Sequence, residues 1–393
     1  MKRALTLSLV AFVAACGDAG TPASPIAAPS AEASSASKSA VIPGQYIVVF
    51  RDQVSDAHRR THAKVSLSGG VLRHSYTSAI KGFSAILSPA AVAALRDDPD
   101  VAYVEQDQVM QVSSEQTGAT WGLDRIDQHA RPTDGLYHYA ATGAGVTAYI
   151  IDTGIETTHP EFGGRASVGY DAVGDGRNGI DCDGHGTHVS GTVGGNTYGV
   201  AKGVALVAVR VFDCSGAGTI SGVIAGLDWV TANHAAHAVV NMSLNAGTSS
   251  SLDAAVKRSI ASGMTYVIAA GNGNTSGVAQ DACKTSPARV GEAITVGATD
   301  SNDAKASWSN YGNCVDFFAP GLNITSAWLN GGTNTISGTS MATPHVTGVA
   351  ALYLQGNPGA TPQAVRDALF NATTKDVVTS SRTVNNHLLY TGY

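Results

Sequence analysis

From Trp121 to the C-terminus, short apolar runs rich in β-branched residues alternate with longer stretches of small, helix-compatible residues. The apolar runs lie at residues 146–151, 207–211, 239–240, 266–268 and 294–296. A strand that is apolar along its length is buried on both faces, and strands separated by helical stretches pair in parallel. This pattern predicts one α/β domain, in which helices cover both faces of a mostly parallel, doubly wound sheet.

A smaller module precedes this domain, after a low-complexity segment. Residues 17–40 are almost entirely Ala, Ser, Pro, Gly and Thr, which predicts a flexible tether because these residues offer little apolar surface to bury. Strand-like runs follow at residues 45–50, 71–72, 82–87 and 101–104, with helix-compatible stretches at 56–64 and 90–96. The order βαββαβ is that of a ferredoxin-like module. We therefore expect this module at residues 41–112 and the α/β domain at residues 113–393.

The N-terminus resembles an export signal. Lys2 and Arg3 precede an apolar run over residues 4–15, which is shorter than the roughly 20 residues that span a bilayer, so residues 1–16 predict a secretory signal peptide and a secreted protein. The run ends in Val-Ala-Ala-Cys, which is similar to the bacterial lipobox, where a signal peptidase cuts before a lipid-modified cysteine, here Cys16. An ordinary cut after small residues, with Cys16 incidental, is the alternative.

Charge and composition exclude other classes of protein. The chain has 24 basic and 30 acidic side chains, a net charge of -6, which argues against a nucleic-acid partner. Hydrophobic residues make up 44% of the chain and charged residues 14%, which argues against a disordered protein.

Three segments carry residues suited to catalysis. Asp152 follows the apolar run at 146–151, and functional sites form at the carboxyl ends of strands in open α/β sheets. His185 opens a small-residue helix in the sequence Gly-His-Gly-Thr-His. Ser340 lies in Gly-Thr-Ser-Met-Ala, shortly before an apolar helix over residues 346–354.

Each segment has a simpler interpretation when it is taken alone. Asp152 could cap a turn, and Ser340 could cap a helix. A pepsin-like aspartic protease needs two Asp-Thr-Gly copies, and the sequence has one. A zinc site at His185 and His188 lacks the glutamate of a His-Glu-x-x-His motif.

Together the three residues form a recognisable set. A serine hydroxyl becomes a nucleophile when an imidazole removes its proton and a carboxylate orients that imidazole. Asp152, His185 and Ser340, each beside glycines, follow the chain order of subtilisins. The resemblance runs from Trp121 to the C-terminus and is strongest to the proteinase K–aqualysin branch of the subtilase family, while the βαββαβ module resembles the family's inhibitory propeptide.

The resemblance implies a serine endopeptidase made as a self-processed zymogen and cut between about residues 110 and 115. Ser340 would be the nucleophile, His185 the general base and then acid, and Asp152 the orienting carboxylate. Asn272 and the backbone N–H of Ser340 would bind the oxyanion. Polypeptide substrates, the chain's own propeptide as inhibitor, and a monomeric state are expected.

Substrate would add as a strand between two backbone edges, residues 215–219 and 243–247. The contacting residues would be Gly216, Gly218, Ser243, Leu244, Asn245, Ala269, Ala270 and Gly271. Relatives usually carry glycines after Ser243-Leu244, whereas this chain has Asn245, and Asn tolerates left-handed backbone better than most residues. The small apolar wall at 269–271 favours a broad preference for apolar or aromatic side chains before the cut.

Cysteines and calcium complete what the resemblance implies. Four of the five cysteines allow three pairings, and relatives join Cys182 to Cys214 and Cys283 to Cys314. Structural calcium would bind at two sites, since hard oxygen ligands suit this ion. The first would use Asp124, Asp127, Gln128 and Asp134, and the second Asp316 with the carbonyls of Gly291 and Ala293. A lipid on Cys16 would anchor only the precursor, because this residue lies on the propeptide side of the cut.

Two other classes of protein remain as alternatives. One is a pseudoenzyme, a lipid-anchored binding protein that uses the same fold as a scaffold. The other is an α/β-hydrolase esterase, in which Asp367 or Asp376 and His387 follow Ser340. Too few residues follow Ser340 for the remaining strands of that fold.

Overall fold

The computed structural model of the protein describes residues 41–108 and 114–393. These residues form two compact units, which divide between residues 108 and 114. The predicted signal peptide with Cys16, the predicted tether and most of the predicted cleavage region lie outside the described residues.

The first unit is a four-stranded antiparallel sheet with two helices, in the predicted βαββαβ order. Its elements are β1 (Val41–Phe50), α1 (Ala57–Ser68), β2 (Val71–Tyr76), β3 (Gly82–Ile86), α2 (Pro89–Arg96) and β4 (Val101–Gln108), with the strands in the order β2-β3-β1-β4. Capping residues fix where the helices begin. The Asp56 carboxylate accepts a hydrogen bond from the Arg59 N–H at 3.0 Å, and the Ser88 hydroxyl accepts one from the Ala91 N–H at 3.2 Å.

The second unit is built on a seven-stranded parallel sheet. Its strands are β7 (Thr147–Asp152), β8 (Ala166–Asp171), β9 (Ala205–Arg210), β10 (Ala238–Met242), β11 (Thr265–Ala269), β12 (Ile294–Thr299) and β13 (Phe317–Pro320), in the order β13-β12-β11-β10-β7-β9-β8. Two antiparallel pairs are separate from it: β5 (Ser114–Thr117) with β6 (Leu136–Tyr139), and β14 (Ile324–Trp328) with β15 (Gly332–Ile336). The predicted doubly wound α/β fold is confirmed.

Helices cover both faces of this sheet. They are α3 (Trp121–Ile126), α4 (His185–Gly194), α5 (Ile220–Asn233), α6 (Ser250–Ala261), α7 (Thr339–Gly356) and α8 (Pro362–Ala372). Neighbouring strand residues point to opposite faces: Ile150 packs in the apolar layer that contains the inner side of α7, and Ile151 packs in the layer that contains α5 and α6. Long apolar runs are therefore buried from both sides.

The chain reverses its direction across the sheet between β7 and β10. These neighbouring strands are parallel, with β9 and β8 on the β7 side and β11, β12 and β13 on the β10 side. A crevice opens beyond the carboxyl ends of the strands at such a switch point. Asp152 ends β7 and Ser243 follows β10, so both lie at this crevice.

Two disulfides join loops of the second unit, Cys182 to Cys214 and Cys283 to Cys314. Among the residues that the structure describes, none of the helices combines the length and apolar character that crossing a membrane requires.

Candidate active site

Asp152 and His185 form a hydrogen-bonded pair. Asp152 is completely buried at the end of β7, and its Oδ1 atom lies 2.8 Å from Nδ1 of His185, the first residue of α4. Burial lowers the pKa of His185, but the charge and hydrogen bond of Asp152 outweigh this effect and the pKa is raised overall. The bond fixes the proton on Nδ1 of the neutral imidazole, which leaves Nε2 able to accept one.

A glycine lets the two loops that carry this pair come together. A Cβ atom added to Gly186 would lie 2.1 Å from the carbonyl oxygen of Gly154, which no side chain can tolerate. The glycine after His185 is therefore required for steric reasons, because the first turn of α4 packs directly on the loop after Asp152.

Ser340 is the second residue of α7, so its backbone N–H lies at the positive end of an 18-residue helix. The helix begins before Pro344, seven residues earlier than the predicted start at residue 346. Pro344 has no N–H to bond the carbonyl of Ser340, and the Ser243 hydroxyl donates to that carbonyl instead, at 2.8 Å. The Ser340 hydroxyl donates to the Ser243 carbonyl at 3.2 Å rather than to His185.

Asn272 lies beside Ser340 with its amide held in one orientation. Its Oδ1 atom accepts hydrogen bonds from the N–H and the hydroxyl of Thr339, both at 2.8 Å. A Cβ atom added to Gly338 would lie 3.5 Å from Asn272 Nδ2 and also 3.5 Å from the Ser340 nitrogen. Two N–H donors therefore converge on one space, which is the arrangement that a tetrahedral oxyanion requires.

Thr339 and Gly338 were not identified from the sequence. Thr339 is fully buried, and its hydroxyl donates to Asn272 and accepts from the Gly271 N–H at 3.1 Å. Gly338 has extended backbone, so its role comes from the missing side chain rather than from its conformation. Their position beside Ser340 is the only sequence signal that points to them.

The first predicted substrate edge is an exposed turn, and Asp213 holds it. The Asp213 Oδ1 atom accepts from the backbone N–H groups of Ser215 and Ala217 at 2.8 and 3.1 Å. Gly216 adopts a φ of 73°, and a Cβ atom on Gly218 would lie 2.4 Å from the Phe212 ring. Both glycines are therefore required by the shape of this edge.

The second predicted edge differs from expectation at Asn245. This residue does not adopt positive φ, so the left-handed conformation considered for it is not used. Its Nδ2 atom donates to the Thr285 hydroxyl at 3.1 Å, and its side chain lies against Gly271. Ser243, Leu244, Ala269 and Ala270 are buried. Gly271 is buried as well, against the Asn245 side chain, so Asn245 is the exposed residue of this wall.

The first predicted calcium site contains an unsatisfied oxygen. Asp127 Oδ1 is buried without a hydrogen-bond partner, while Oδ2 accepts from the His138 N–H at 2.6 Å. Burial raises the pKa of Asp127 to about 6, and the charges of Asp134 and Asp124 contribute to the increase. A cation at this position would satisfy the oxygen and relieve the repulsion. Gln128 lies alongside, with its amide donating to Asp124 at 3.3 Å.

The second predicted calcium site does not fit a cation. Asp316 Oδ1 accepts two hydrogen bonds from Arg366, at 3.1 and 2.5 Å, and Oδ2 accepts one from the Thr295 N–H at 2.8 Å. Ala293 is buried and Gly291 is exposed on the loop before β12. The guanidinium of Arg366 thus supplies the positive charge that calcium was expected to supply. The described residues contain no group of three or more His, Cys, Asp or Glu side chains placed to hold a metal.

The alternative catalytic sets are not assembled. His188 is buried, and its Nε2 atom lies 3.0 Å from the carbonyl of Ile324, so this nitrogen is engaged with the backbone rather than available to a metal. His387 packs on the Phe370 ring, and its Nδ1 atom lies 3.9 Å from Asp376 Oδ1, while Asp367 accepts from Gln363 on its own helix. The Ser340 hydroxyl donates to the Ser243 carbonyl, so the Asp376–His387 pair is not hydrogen-bonded to the serine.

Two family models match the chain. The Subtilase family model matches residues 143–389, and the Peptidase inhibitor I9 model matches residues 45–113. The first range contains Asp152, His185, Asn272 and Ser340.

The chain is also similar to individual proteins. It is 52% identical over 375 residues to the extracellular serine proteinase of Thermus sp. (strain Rt41A), covering 90% of each chain. It is 49% identical over 365 residues to the alkaline serine exoprotease A of Vibrio alginolyticus, covering 89% of this chain and 67% of that protein. The crystal structure of a cold adapted subtilisin-like serine proteinase shares 55% identity with a TM-score of 0.68, covering 70% of this chain and 99% of that one.

Proposed function

This chain belongs to the subtilase family and is a serine endopeptidase with an I9-type propeptide domain; from this premise we propose that it hydrolyses peptide bonds through an acyl-enzyme on Ser340. The observation that carries the proposal is the 2.8 Å bond between Asp152 and His185 Nδ1. It selects the tautomer whose Nε2 atom can take the serine proton.

The reaction proceeds in two stages. His185 removes the proton of Ser340 as the hydroxyl oxygen attacks the substrate carbonyl, and Asp152 stabilises the imidazolium that results. Asn272 Nδ2 and the Ser340 N–H bind the oxyanion. His185 then protonates the leaving amine, and a water molecule activated by the same imidazole hydrolyses the acyl-enzyme.

The substrate lies as an extended strand between the edges at 215–219 and 243–247. Small or buried side chains at 269–271 support a preference for apolar or aromatic residues before the cut. Asn245 makes the mouth of this pocket more polar than a glycine would, since its amide lies against Gly271.

Three alanine variants test the assignment. Ser340→Ala and His185→Ala should lose hydrolysis of a chromogenic peptide and labelling by a fluorophosphonate probe, whereas His387→Ala should keep both. Activity that survives His185→Ala but is lost in His387→Ala would support the esterase arrangement instead. A folded wild-type protein that does not react with the probe would indicate a pseudoenzyme.

The enzyme is made as a zymogen and cuts itself between about residues 110 and 115, which releases the domain from residue 113 onward as a monomer. The I9 match at residues 45–113 supports this boundary. Intact mass of the purified protein, beside Ser340→Ala, tests it. Identical processing of the isolated Ser340→Ala protein would show that the cut is not made by the enzyme itself.

The precursor is exported, and any lipid on Cys16 holds only the precursor at the membrane. The relative from Thermus is named as extracellular, which supports export. Maturation would then release the protease. Cell fractionation tests this sequence of events. Mature enzyme that has lost its propeptide but still needs detergent to be extracted from the membrane fraction would contradict it.

Calcium is a structural ion at the site formed by Asp124, Asp127, Gln128 and Asp134, where it compensates clustered negative charge. The buried free oxygen of Asp127 supports the part of Asp127 in this ligand set. No calcium is proposed at Asp316, because Arg366 already pairs with that carboxylate.

A further inference from the structure

A second buried carboxylate lies behind the Asp152–His185 pair. Asp181 is 5% exposed, and its two oxygens are saturated by hydrogen bonds. Oδ1 accepts from the Thr153 hydroxyl at 2.9 Å and from the N–H groups of Asp183 and Gly184 at 3.0 Å each, and Oδ2 accepts from the N–H and hydroxyl of Thr187 at 2.9 and 2.6 Å. Every donor comes from the segment around His185 or from the residue after Asp152.

Thr153 connects the two carboxylates. Its N–H donates to Asp152 at 2.7 Å, its hydroxyl donates to Asp181, and the same hydroxyl accepts from the Gly186 N–H at 2.9 Å. The residue is 2% exposed, so these bonds do not compete with solvent. One side chain thus joins the strand end that holds the orienting carboxylate to the helix turn that holds the imidazole.

The charge of Asp181 also acts on His185. The carboxylate lies at the N-terminus of α4, where backbone N–H groups stabilise an anion. Burial lowers the pKa of His185, and the charges of Asp152, Asp183 and Asp181 together raise it above its ordinary value. An imidazolium at His185 is therefore stabilised by more than its direct partner.

We propose that Asp181 is a positioning residue of the reaction, which holds His185 in register with Asp152 through Thr153 and whose buried charge stabilises the imidazolium. The inference rests on the proposed function, because it assigns Asp181 a part in the proton transfer from Ser340. No motif in the sequence marks this residue, since an aspartate four positions before His185 is equally suited to a loop turn.

The two contributions can be separated by substitution. Asp181→Asn keeps the shape but removes the charge and one of the two accepting oxygens, so kcat/KM should fall about tenfold, and the loss of charge should move the acid limb of its pH profile to lower pH by a few tenths of a unit. Thr153→Val removes the hydroxyl link but keeps both charges, so kcat/KM should fall while the acid limb stays in place. Thr153→Ser should restore wild-type kcat/KM. Asp300→Asn is the matched control, because Asp300 also accepts two backbone N–H bonds but lies outside the segments that carry the catalytic residues.

The experiment measures kcat/KM against pH for a chromogenic peptide, after titration of active sites. The inference fails if Asp181→Asn keeps wild-type kcat/KM, or if it lowers kcat/KM without moving the acid limb, which would indicate a merely structural role. If Asp181→Asn does not fold, wild-type activity in Thr153→Val overturns the inference and loss rescued by Thr153→Ser supports it. Full hydrolysis by Ser340→Ala would instead refute the proposed function itself.

Discussion

The Ser243 hydroxyl donates a 2.8 Å hydrogen bond to the Ser340 carbonyl, the carbonyl that Pro344 leaves without a helix partner. The Asn241 side chain donates to the same Ser243 oxygen at 2.9 Å, and Asn241 accepts from Thr347 at 2.9 Å. A buried chain of polar side chains therefore ties the start of α7 to the end of β10. The position of Ser340 is therefore set by Ser243, which belongs to the backbone edge at residues 243–247 where the substrate is expected to bind.

Ser243→Ala should lower both activity and stability. A buried carbonyl left without a partner costs about 1–3 kcal/mol in the free energy of unfolding. A similar loss in the transition state would lower kcat about tenfold. We expect kcat, measured on a chromogenic peptide, to fall more than KM rises, because the hydroxyl contacts Ser340 rather than substrate.

The double variant Ser243→Ala/Pro344→Ala is the sharpest control. The alanine that replaces Pro344 would supply the N–H that the helix lacks, so the double variant should recover part of the stability and kcat that Ser243→Ala loses. Stability is measured by urea unfolding of the phosphonylated enzyme, which cannot digest itself. Equal losses in the single and double variants would show that the Ser340 carbonyl is not what Ser243 stabilises.

Gly338→Ala should abolish most turnover while leaving the fold intact. The added methyl would occupy the space 3.5 Å from both N–H donors, where the oxyanion needs to lie. Loss of one such donor costs about 10²–10³ in kcat, a figure measured in a subtilisin and therefore borrowed from this family. Gly359→Ala is the control, because a Cβ there has nothing within 4 Å. Normal kcat in Gly338→Ala would place the oxyanion elsewhere.

The sequence predicts the centre of the sheet because its central strands are apolar along their whole length. The edge strands β8 and β13 are not predicted. β8 is half-exposed and contains polar residues, and β13 is buried but only four residues long, has no β-branched residue and ends in Pro320, so neither shows the β-branched apolar run that marks the central strands. An edge strand that is partly exposed, as β8 is, or very short, as β13 is, leaves a weaker pattern in the sequence.

The catalytic residues are predictable for a different reason. Glycines crowd around Asp152, His185 and Ser340 because backbone segments approach closely there, and this leaves a local pattern. The ion pair of Arg366 leaves no such pattern in the sequence, since its partner Asp316 lies 50 residues away and only the folded chain brings the two residues together. The same holds for the hydrogen bond between Thr153 and Asp181, which lie 28 residues apart and meet only when α4 packs on the loop after β7.

Removal of calcium should destabilise the mature enzyme through the Asp127 site. At free calcium a hundred times its Kd, bound ion stabilises the fold by about 2.7 kcal/mol, which a chelator would remove. Asp127→Asn should lower Tm in calcium and lose most of the response to chelator. The measurement is thermal unfolding of the phosphonylated enzyme with calcium or with a chelator.

Arg366→Gln provides the comparison at Asp316. Breaking this pair leaves a buried carboxylate unpaired and should cost about 3 kcal/mol. We expect a chelator to lower the Tm of Arg366→Gln by the same amount as it lowers the Tm of the wild type. A larger response would mean that calcium binds at Asp316 once the guanidinium is gone.

Stability should fall with acid because two buried histidines are neutral in the folded enzyme. Burial lowers the pKa of His188 and of His345 to about 4. The ordinary value of 6.5 applies after unfolding, so between pH 6.5 and about 4 the unfolded chain binds protons that the folded enzyme does not. The free energy of unfolding is therefore highest above pH 6.5 and should decrease by about 1.4 kcal/mol per pH unit for each histidine as pH falls through this window.

Urea unfolding of the phosphonylated enzyme in saturating calcium, which keeps Asp127 ionised, measures how steeply the free energy of unfolding depends on pH. His345→Gln should remove one histidine's share of this slope. Equal slopes in wild type and His345→Gln would show that His345 is not the group that titrates.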